Sequence, residues 1–274
     1  MNQEMKNRTK WYTDARFGMF IHWGLYAIPA RGEWVMSHEE IPLEEYKKYF
    51  DIFDPVDCDP KQWVKAAKNA GMKYVVLTAK HHDGFCLYDS AYTDYKITNT
   101  KAGRDIVKEF VDACHEEEMG AGLYFSILDW SHPDFPKYGD MFHPMRNNEA
   151  YKDEDIDFDR YLKFMHNQIE EIVSKYGKID ILWFDFSYAD MVGEKWRATD
   201  LVNMVRKYQP DVIMDNRLEG NGDNHGSLLS GKPTPYSGDF VSPEQILPTE
   251  GVVDVFGNPV PWELCCTMNN HWGY

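Results

Sequence analysis

Carboxylates, imidazoles and aromatic rings recur where predicted strands end. His22 lies in the apolar stretch 16–24, and His81 and His82 follow the run 74–79. Tyr124 and Asp129 belong to the run 121–127 and its exit, Trp183 and Asp185 to 179–186, Asn216 and Arg217 to 212–217. Glu244 follows a weaker run, 237–241. Such a mixture suits a sugar, whose hydroxyls take polar contacts and whose CH face packs on rings. Cleaving a glycosidic bond needs two carboxyls, one ionised beside a cation or imidazole and one kept protonated in drier surroundings. Asp185 and Glu244 are the natural pair, with Glu219 and Glu250 as alternatives for the second. Asp185 alone would otherwise read as a cap or an ion-pair partner. Asp83 and Asp129 read as turn caps. His81 and His82 could be a structural pair or metal ligands, but neighbours on a strand point to opposite faces, so no metal is expected.

The element that must position these groups is Lys178-Ile179-Asp180-Ile181-Leu182-Trp183-Phe184-Asp185-Phe186, an apolar run ending in a carboxylate. It reads as a strand buried on both faces, as in a parallel sheet. A helix over 155–176, closed by Gly177, precedes it. The same alternation repeats: strand 16–24, helix 60–70, strand 74–79, helix 104–118, strand 121–127, then helix 194–208 and strand 212–217. Runs at 237–241 and 264–268 complete a count of about seven. The pattern predicts an α/β chain, a (β/α)8-like TIM barrel incomplete at its C-terminal end, with 1–274 as a single catalytic barrel domain. No GxGxxG or GxxxxGK[ST] follows a strand, which argues against a doubly wound nucleotide-binding sheet. The long segments 26–60, 131–154 and 219–236 are the loops that would select what lies beyond the first sugar.

Five motifs carry a resemblance: Phe20-Ile21-His22-Trp23-Gly24, Gly32-Glu33-Trp34, Lys80-His81-His82-Asp83-Gly84-Phe85, Leu182-Trp183-Phe184-Asp185 and Trp272-Gly273-Tyr274. In this order they resemble the family 29 glycoside hydrolases, the retaining α-L-fucosidases. The resemblance implies Asp185 as nucleophile and Glu244, in the context Asp239-Phe240-Val241-Ser242-Pro243-Glu244, as acid/base. It implies His22, Glu33, Trp34, His81, His82 and Tyr124 on the fucose hydroxyls and ring, Trp183 and Arg217 lining the pocket, and Trp272 under the fucose methyl. It implies no cofactor. The partner expected is a fucosylated oligosaccharide or glycoconjugate. The family usually adds a helix and strand after the Trp-Gly-Tyr segment, so a homo-oligomer covering an open barrel seam is expected. The alternative is a weak or inactive fucose-binding fragment that needs a second chain, and a third reading is a metal-dependent hydrolase using the His pair.

Composition narrows the partners. A net charge of -16 disfavours nucleic acid and anionic membranes, since phosphate binding needs a basic surface. No run approaches membrane-spanning length. The polar start, residues 1–10, lacks the apolar core of a signal peptide, and five scattered cysteines without CxxC suit a reducing compartment, so a cytoplasmic protein is expected. Aromatics at 15% fit either a sugar site or a large core.

Overall fold

The computed structural model describes residues 3–273, so Tyr274 of the last motif lies outside them. The order is α1 (Gln3–Ala15), β1 (Gly18–Ile21), α2 (Val35–His38), α3 (Leu43–Ile52), α4 (Pro60–Asn69), β2 (Tyr74–Lys80), α5 (Ile106–Glu116), β3 (Gly120–Ser126), α6 (Phe158–Lys175), β4 (Ile181–Asp185), α7 (Ala198–Tyr208) and β5 (Ile213–Met214). The five strands pair in sequence order, all parallel.

Register explains why the strands are apolar throughout. Phe20, Val76, Gly122, Ile181 and Ile213 stand side by side across the sheet. Tyr74, Val76, Tyr124, Ile181, Trp183 and Ile213 pack into one cluster on this inner face. Their neighbours Val75, Leu77, Leu123, Phe125, Leu182 and Phe184 face the helices, among Val64, Phe110, Met165, Ile169 and Val205. Both faces are therefore buried, as parallel strands with covering helices require. Asp185 has the parity of Trp183, so it points to the inner face, one residue beyond the apolar layer.

The helices begin where their caps sit. Asp59, Asp105 and Asp157 each accept a hydrogen bond from a backbone N–H of the following turn and open α4, α5 and α6. These caps start α5 and α6 a little later than the apolar spacing predicts. The N-terminal helix α1 is not legible as an element, because its sequence is polar and only weakly amphipathic. It is held by distant partners: Arg8 Nη2 lies 2.6 Å from Asp239 Oδ1, and the Tyr12 hydroxyl donates to Glu263 at 2.9 Å.

The sixth and seventh expected strands are not ladders. Asp239 N donates to Met214 O at 2.7 Å, continuing the sheet past β5. Beyond it, the backbone pairing of the two segments among the described residues is limited to the single bridges Val241–Trp262 and Glu244–Cys265, both parallel. Pro243, Pro259 and Pro261 lack the N–H that a ladder needs at those points. The Asp239 carboxylate also takes Met214 N at 2.9 Å, occupying a donor at the start of β5's exit. Among the described residues the outer edge of β1 pairs with nothing. A cleft of about 950 Å³ separates it from 259–266, lined by Tyr12, Phe17, Phe20, Tyr74, Glu263 and Cys266. Phe17 is half exposed there.

Candidate active site

Strand ends bring the chemistry together. Phe20, His22, Trp34, His81, His82, Tyr124, Trp183, Asp185, Phe186, Glu244, Cys265 and Trp272 line one cavity at the C-terminal ends of the strands. Nine of the eleven candidate site residues are in that lining. The other two stand behind it. Arg217 is buried beneath the carboxylates, and buried Glu33 accepts the Gly273 N–H at 2.8 Å. That bond ties the loop after β1 to the Trp272 segment.

Arg217 organises the pair of acids. Its Nη1 lies 3.2 Å from Asp185 Oδ1 and its Nη2 3.0 Å from Glu244 Oε2. Nε donates to Ser242 Oγ at 2.8 Å and Nη2 also to Ser242 O at 3.0 Å, so the fork is fixed from behind. The guanidinium rests 4.7 Å from the Trp183 ring centre. Asp185 accepts a second donor, the Tyr124 hydroxyl, at 2.8 Å on Oδ2. Glu244 accepts the Trp272 indole N–H at 3.2 Å on Oε1. Burial pushes the Asp185 carboxyl up to about 7 against the pull of Arg217, with the Glu244 charge adding to the rise. The rivals of Glu244 are placed elsewhere. Glu219 is engaged by Ser227 N at 2.7 Å and Thr234 Oγ1 at 2.9 Å within its own loop, and Glu250 is exposed.

The imidazoles are neutral. Burial pushes His22 down to about 3 and holds His81 and His82 well below the ordinary histidine range, with neighbouring cationic forms opposing further charge. His82 has a defined tautomer. Ser126 Oγ spends its single proton on Leu128 O at 2.8 Å, so at 2.8 Å from His82 Nδ1 it can only accept. The bare Nε2 is then free to accept a hydroxyl, 3.9 Å from Asp185 Oδ2. Buried His81 Nδ1 has no hydrogen-bond partner among the described residues. His81 and His82 both line the cavity, contrary to the alternation expected of neighbours, because pairing with β3 slips between Thr78 and Lys80 and β2 ends there. Among the described residues no three His, Cys, Asp or Glu side chains gather around a cation position.

Aromatic rings form the walls. Trp34 meets His82 edge-on at 4.9 Å and Phe186 at 5.5 Å, and Trp272 stacks on His22 at 5.3 Å. Phe20, Phe186 and Cys265 in the lining, and Ser242 behind Arg217, were not picked out from sequence. Phe186 adjoins Asp185 in the organising run and could have been; a serine between a valine and a proline carries no such signal.

The turn that sets the His pair depends on Gly84. Its φ is +79°, and an added Cβ would lie 2.2 Å from both Asp129 Oδ1 and Ser131 Oγ. Asp129 forms a buried ion pair with Lys80 at 3.0 Å. Asp83 accepts Phe85 N at 3.1 Å and the Tyr46 hydroxyl at 3.2 Å, and Asp129 accepts Ser131 N at 2.9 Å, so both acids do cap turns. Gly84→Ala should cost about 3 kcal/mol from backbone strain plus disruption of that pair, read as a lower denaturation midpoint at unchanged m.

A family model described as Alpha-L-fucosidase matches residues 1–274. The chain belongs to the alpha-L-fucosidase family. Its motifs are thus those of a family member, as the KHHDGF and HWG segments imply. It is 59% identical to alpha-L-fucosidase isoenzyme 1 from Paenibacillus thiaminolyticus, covering 99% of this chain and 63% of that one, with a TM-score of 0.96. Alpha-L-fucosidase AlfC from Lactobacillus casei, solved with its alpha-L-fucose product, is 32% identical over 98% of this chain and 81% of its own, with a TM-score of 0.77. The plasma alpha-L-fucosidase of Rattus norvegicus is 28% identical over 96% of this chain and 56% of its own length. The chain spans about half the length of the curated relatives it matches.

Proposed function

We propose that this chain carries the catalytic centre of a retaining exo-α-L-fucosidase acting on fucosylated oligosaccharides or glycoconjugates. The observation that carries the reading is the pair Asp185 and Glu244 held by one buried guanidinium at the floor of an imidazole- and aromatic-lined mouth. Alpha-L-fucosidase AlfC, a structural neighbour, has been solved in complex with alpha-L-fucose and, as a variant, with Fuca(1,6)GlcNAc, which supports a fucosylated ligand for this chain.

In this mechanism Asp185 attacks the anomeric carbon and the glycosidic C–O bond breaks. Glu244 donates its proton to the departing oxygen, leaving a β-linked fucosyl ester on Asp185. Glu244, now ionised, takes a proton from water, which attacks the anomeric carbon and releases α-L-fucose. Arg217 and Tyr124 withdraw charge from Asp185 in the resting state and recover both hydrogen bonds when the ester is cleaved. His82 Nε2 accepts a sugar hydroxyl, His22, His81 and Trp34 complete the contacts to the ring, and Glu33 holds the Trp272 segment in place from behind. Trp183 and Trp272 supply the apolar surface for its CH face and methyl. Release of fucose from an aryl α-L-fucoside by the purified chain, unaffected by chelator, tests this reading; binding of fucose without turnover would leave only a fucose-binding fragment.

The sheet and its two continuing segments support a (β/α)8-type wall with a seam between β1 and 259–266, within one domain over 1–274. A second copy covering that seam would bury Phe17 and pair the free edge of β1. Light scattering should then report twice the chain mass of 32.1 kDa. Phe17→Lys should return the monomer and lower the melting temperature by about 5 °C, the effect of losing one large apolar contact of about 1–2 kcal/mol. A stable monomer from the unsubstituted chain overturns the homo-oligomer.

A further inference from the structure

Glu263 is a buried carboxylate that forms no ion pair among the described residues. It lies on the last segment of the wall, and three neutral donors converge on it from three different elements. The Tyr12 hydroxyl of α1 donates to Oε2 at 2.9 Å, the Tyr74 hydroxyl of β2 to Oε2 at 2.8 Å, and the Trp183 indole N–H of β4 to Oε1 at 3.1 Å. The two phenols alone would make it a structural staple. The bond to Trp183 connects it to the chemistry.

Trp183 supports both donors that hold Asp185. Its ring stacks on Tyr124, with centres 5.7 Å apart and planes 22° apart, and the Tyr124 hydroxyl reaches Asp185. Arg217 rests on the same ring system and reaches Asp185 and Glu244. The indole N–H is the one polar group of the Trp183 side chain, so the bond it makes sets the rotation of the ring. An anionic acceptor at that edge also raises electron density on the ring and strengthens its attraction for the guanidinium.

We propose that Glu263 is a positioning residue of this site: through the Trp183 ring it sets where Tyr124 and Arg217 hold Asp185. The proposal rests on the fucosidase reading for its kinetic consequences, but its geometry is independent of that reading. Among the described residues the titratable groups facing Asp185 are Tyr124, Arg217, His82, Glu244, Asp215 and Cys265, and those facing Glu263 are Tyr12, Tyr74 and Cys265. Tyr124 and Arg217 both favour ionised Asp185, so loosening them raises its pKa.

Glu263→Ala should lower kcat for an aryl α-L-fucoside about 100-fold with little change in KM, the scale of a small misplacement propagated to reacting groups. The acid limb of kcat/KM should move upward by about half a pH unit or more. Glu263→Gln keeps an oxygen for the indole N–H and should recover to within about tenfold of the unsubstituted chain. Tyr12→Phe removes one phenol and leaves the Glu263–Trp183 bond, so it should lower the melting temperature without moving the limb. If Glu263→Ala does not fold, Trp183→Phe, which keeps a ring but loses the N–H, should show the same upward shift. The carboxyl carbon of Asp185, followed by NMR titration, reads that shift in a chain with or without turnover. Absent turnover in the unsubstituted chain would therefore sink the fucosidase reading and still leave Glu263 to be decided. An unmoved Asp185 titration in the folded variants, with a fall in melting temperature like that of Tyr12→Phe, would reduce Glu263 to a staple.

Discussion

Asp185→Ala should lower kcat on an aryl α-L-fucoside by about four orders of magnitude, the scale seen when a nucleophile that acts as part of a unit is removed. Fucose should still bind, because the imidazoles, Trp34 and Trp272 make no use of Asp185. Azide should restore part of the rate with an activated leaving group and yield the β-fucosyl azide, the inverted product, since the small anion enters from the face that Asp185 occupied. The same position carries a stability prediction of opposite sign. The folded Asp185 carboxyl sits at about 7, raised chiefly by burial from an ordinary value near 4. Below the ordinary value the group is protonated in both states and contributes nothing. As pH rises toward 7 the unfolded chain ionises first, so folding loses stability, and above 7 the deficit is constant. Asp185→Asn should therefore melt higher than the unsubstituted chain at pH 8, with the difference shrinking to nothing near pH 4. Full activity in Asp185→Ala would remove it from the mechanism, and a melting difference independent of pH would contradict the burial argument.

Glu244→Ala should separate substrates by leaving group. A general acid contributes most where the departing oxygen is basic, so natural glycosides should lose about 10³-fold and activated aryl fucosides far less. Azide should now trap the fucosyl-enzyme and give the α-configured, retained product. The charge of Glu244 is one cause of the raised Asp185 carboxyl, and its loss also leaves Arg217 with a single acid. Both effects favour ionised Asp185, so the acid limb for activated substrates should move to lower pH. Equal losses on both leaving groups would exclude Glu244 as the acid. Glu219 would not inherit the role easily, since Ser227 and Thr234 already hold it.

These two experiments test residues that local sequence made visible. An apolar run bounded by caps and glycines reports a buried strand, because burial on both faces demands side chains that tolerate no water. The residue that first breaks such a run is at the strand end, and in parallel βα units that end faces the mouth. So β1 to β4, the helices α4 to α7, Asp185, His22 and the His81-His82 turn were all legible, and the motifs around them pointed to the family. Local pattern also misled where a second constraint competed with it. The runs 237–241 and 264–268 have strand composition, but prolines at 243, 259 and 261 remove ladder donors. His81 and His82 were expected on opposite faces, but alternation holds only inside a ladder, and theirs has ended.

What the tertiary structure alone decided are the contacts between distant segments. Arg217 was visible as a strand-end residue expected near the acid/base, but not that one guanidinium joins Asp185, 32 positions before it, to Glu244, 27 positions after it. The helix α1 has too weak an apolar face to be seen in isolation; it exists because Arg8 and Tyr12 reach Asp239 and Glu263, more than 200 positions away. Glu263 is the lone carboxylate of the apolar run Val260-Pro261-Trp262-Glu263-Leu264-Cys265-Cys266, but nothing in that run tells that it meets Tyr12, Tyr74 and Trp183. The physical reason is common to all three. Periodicity records whether a side chain meets water or protein, which is settled within a few residues. Which partner it meets depends on how the sheet curls, and a polar group's partner leaves no trace in the sequence around either member of the pair.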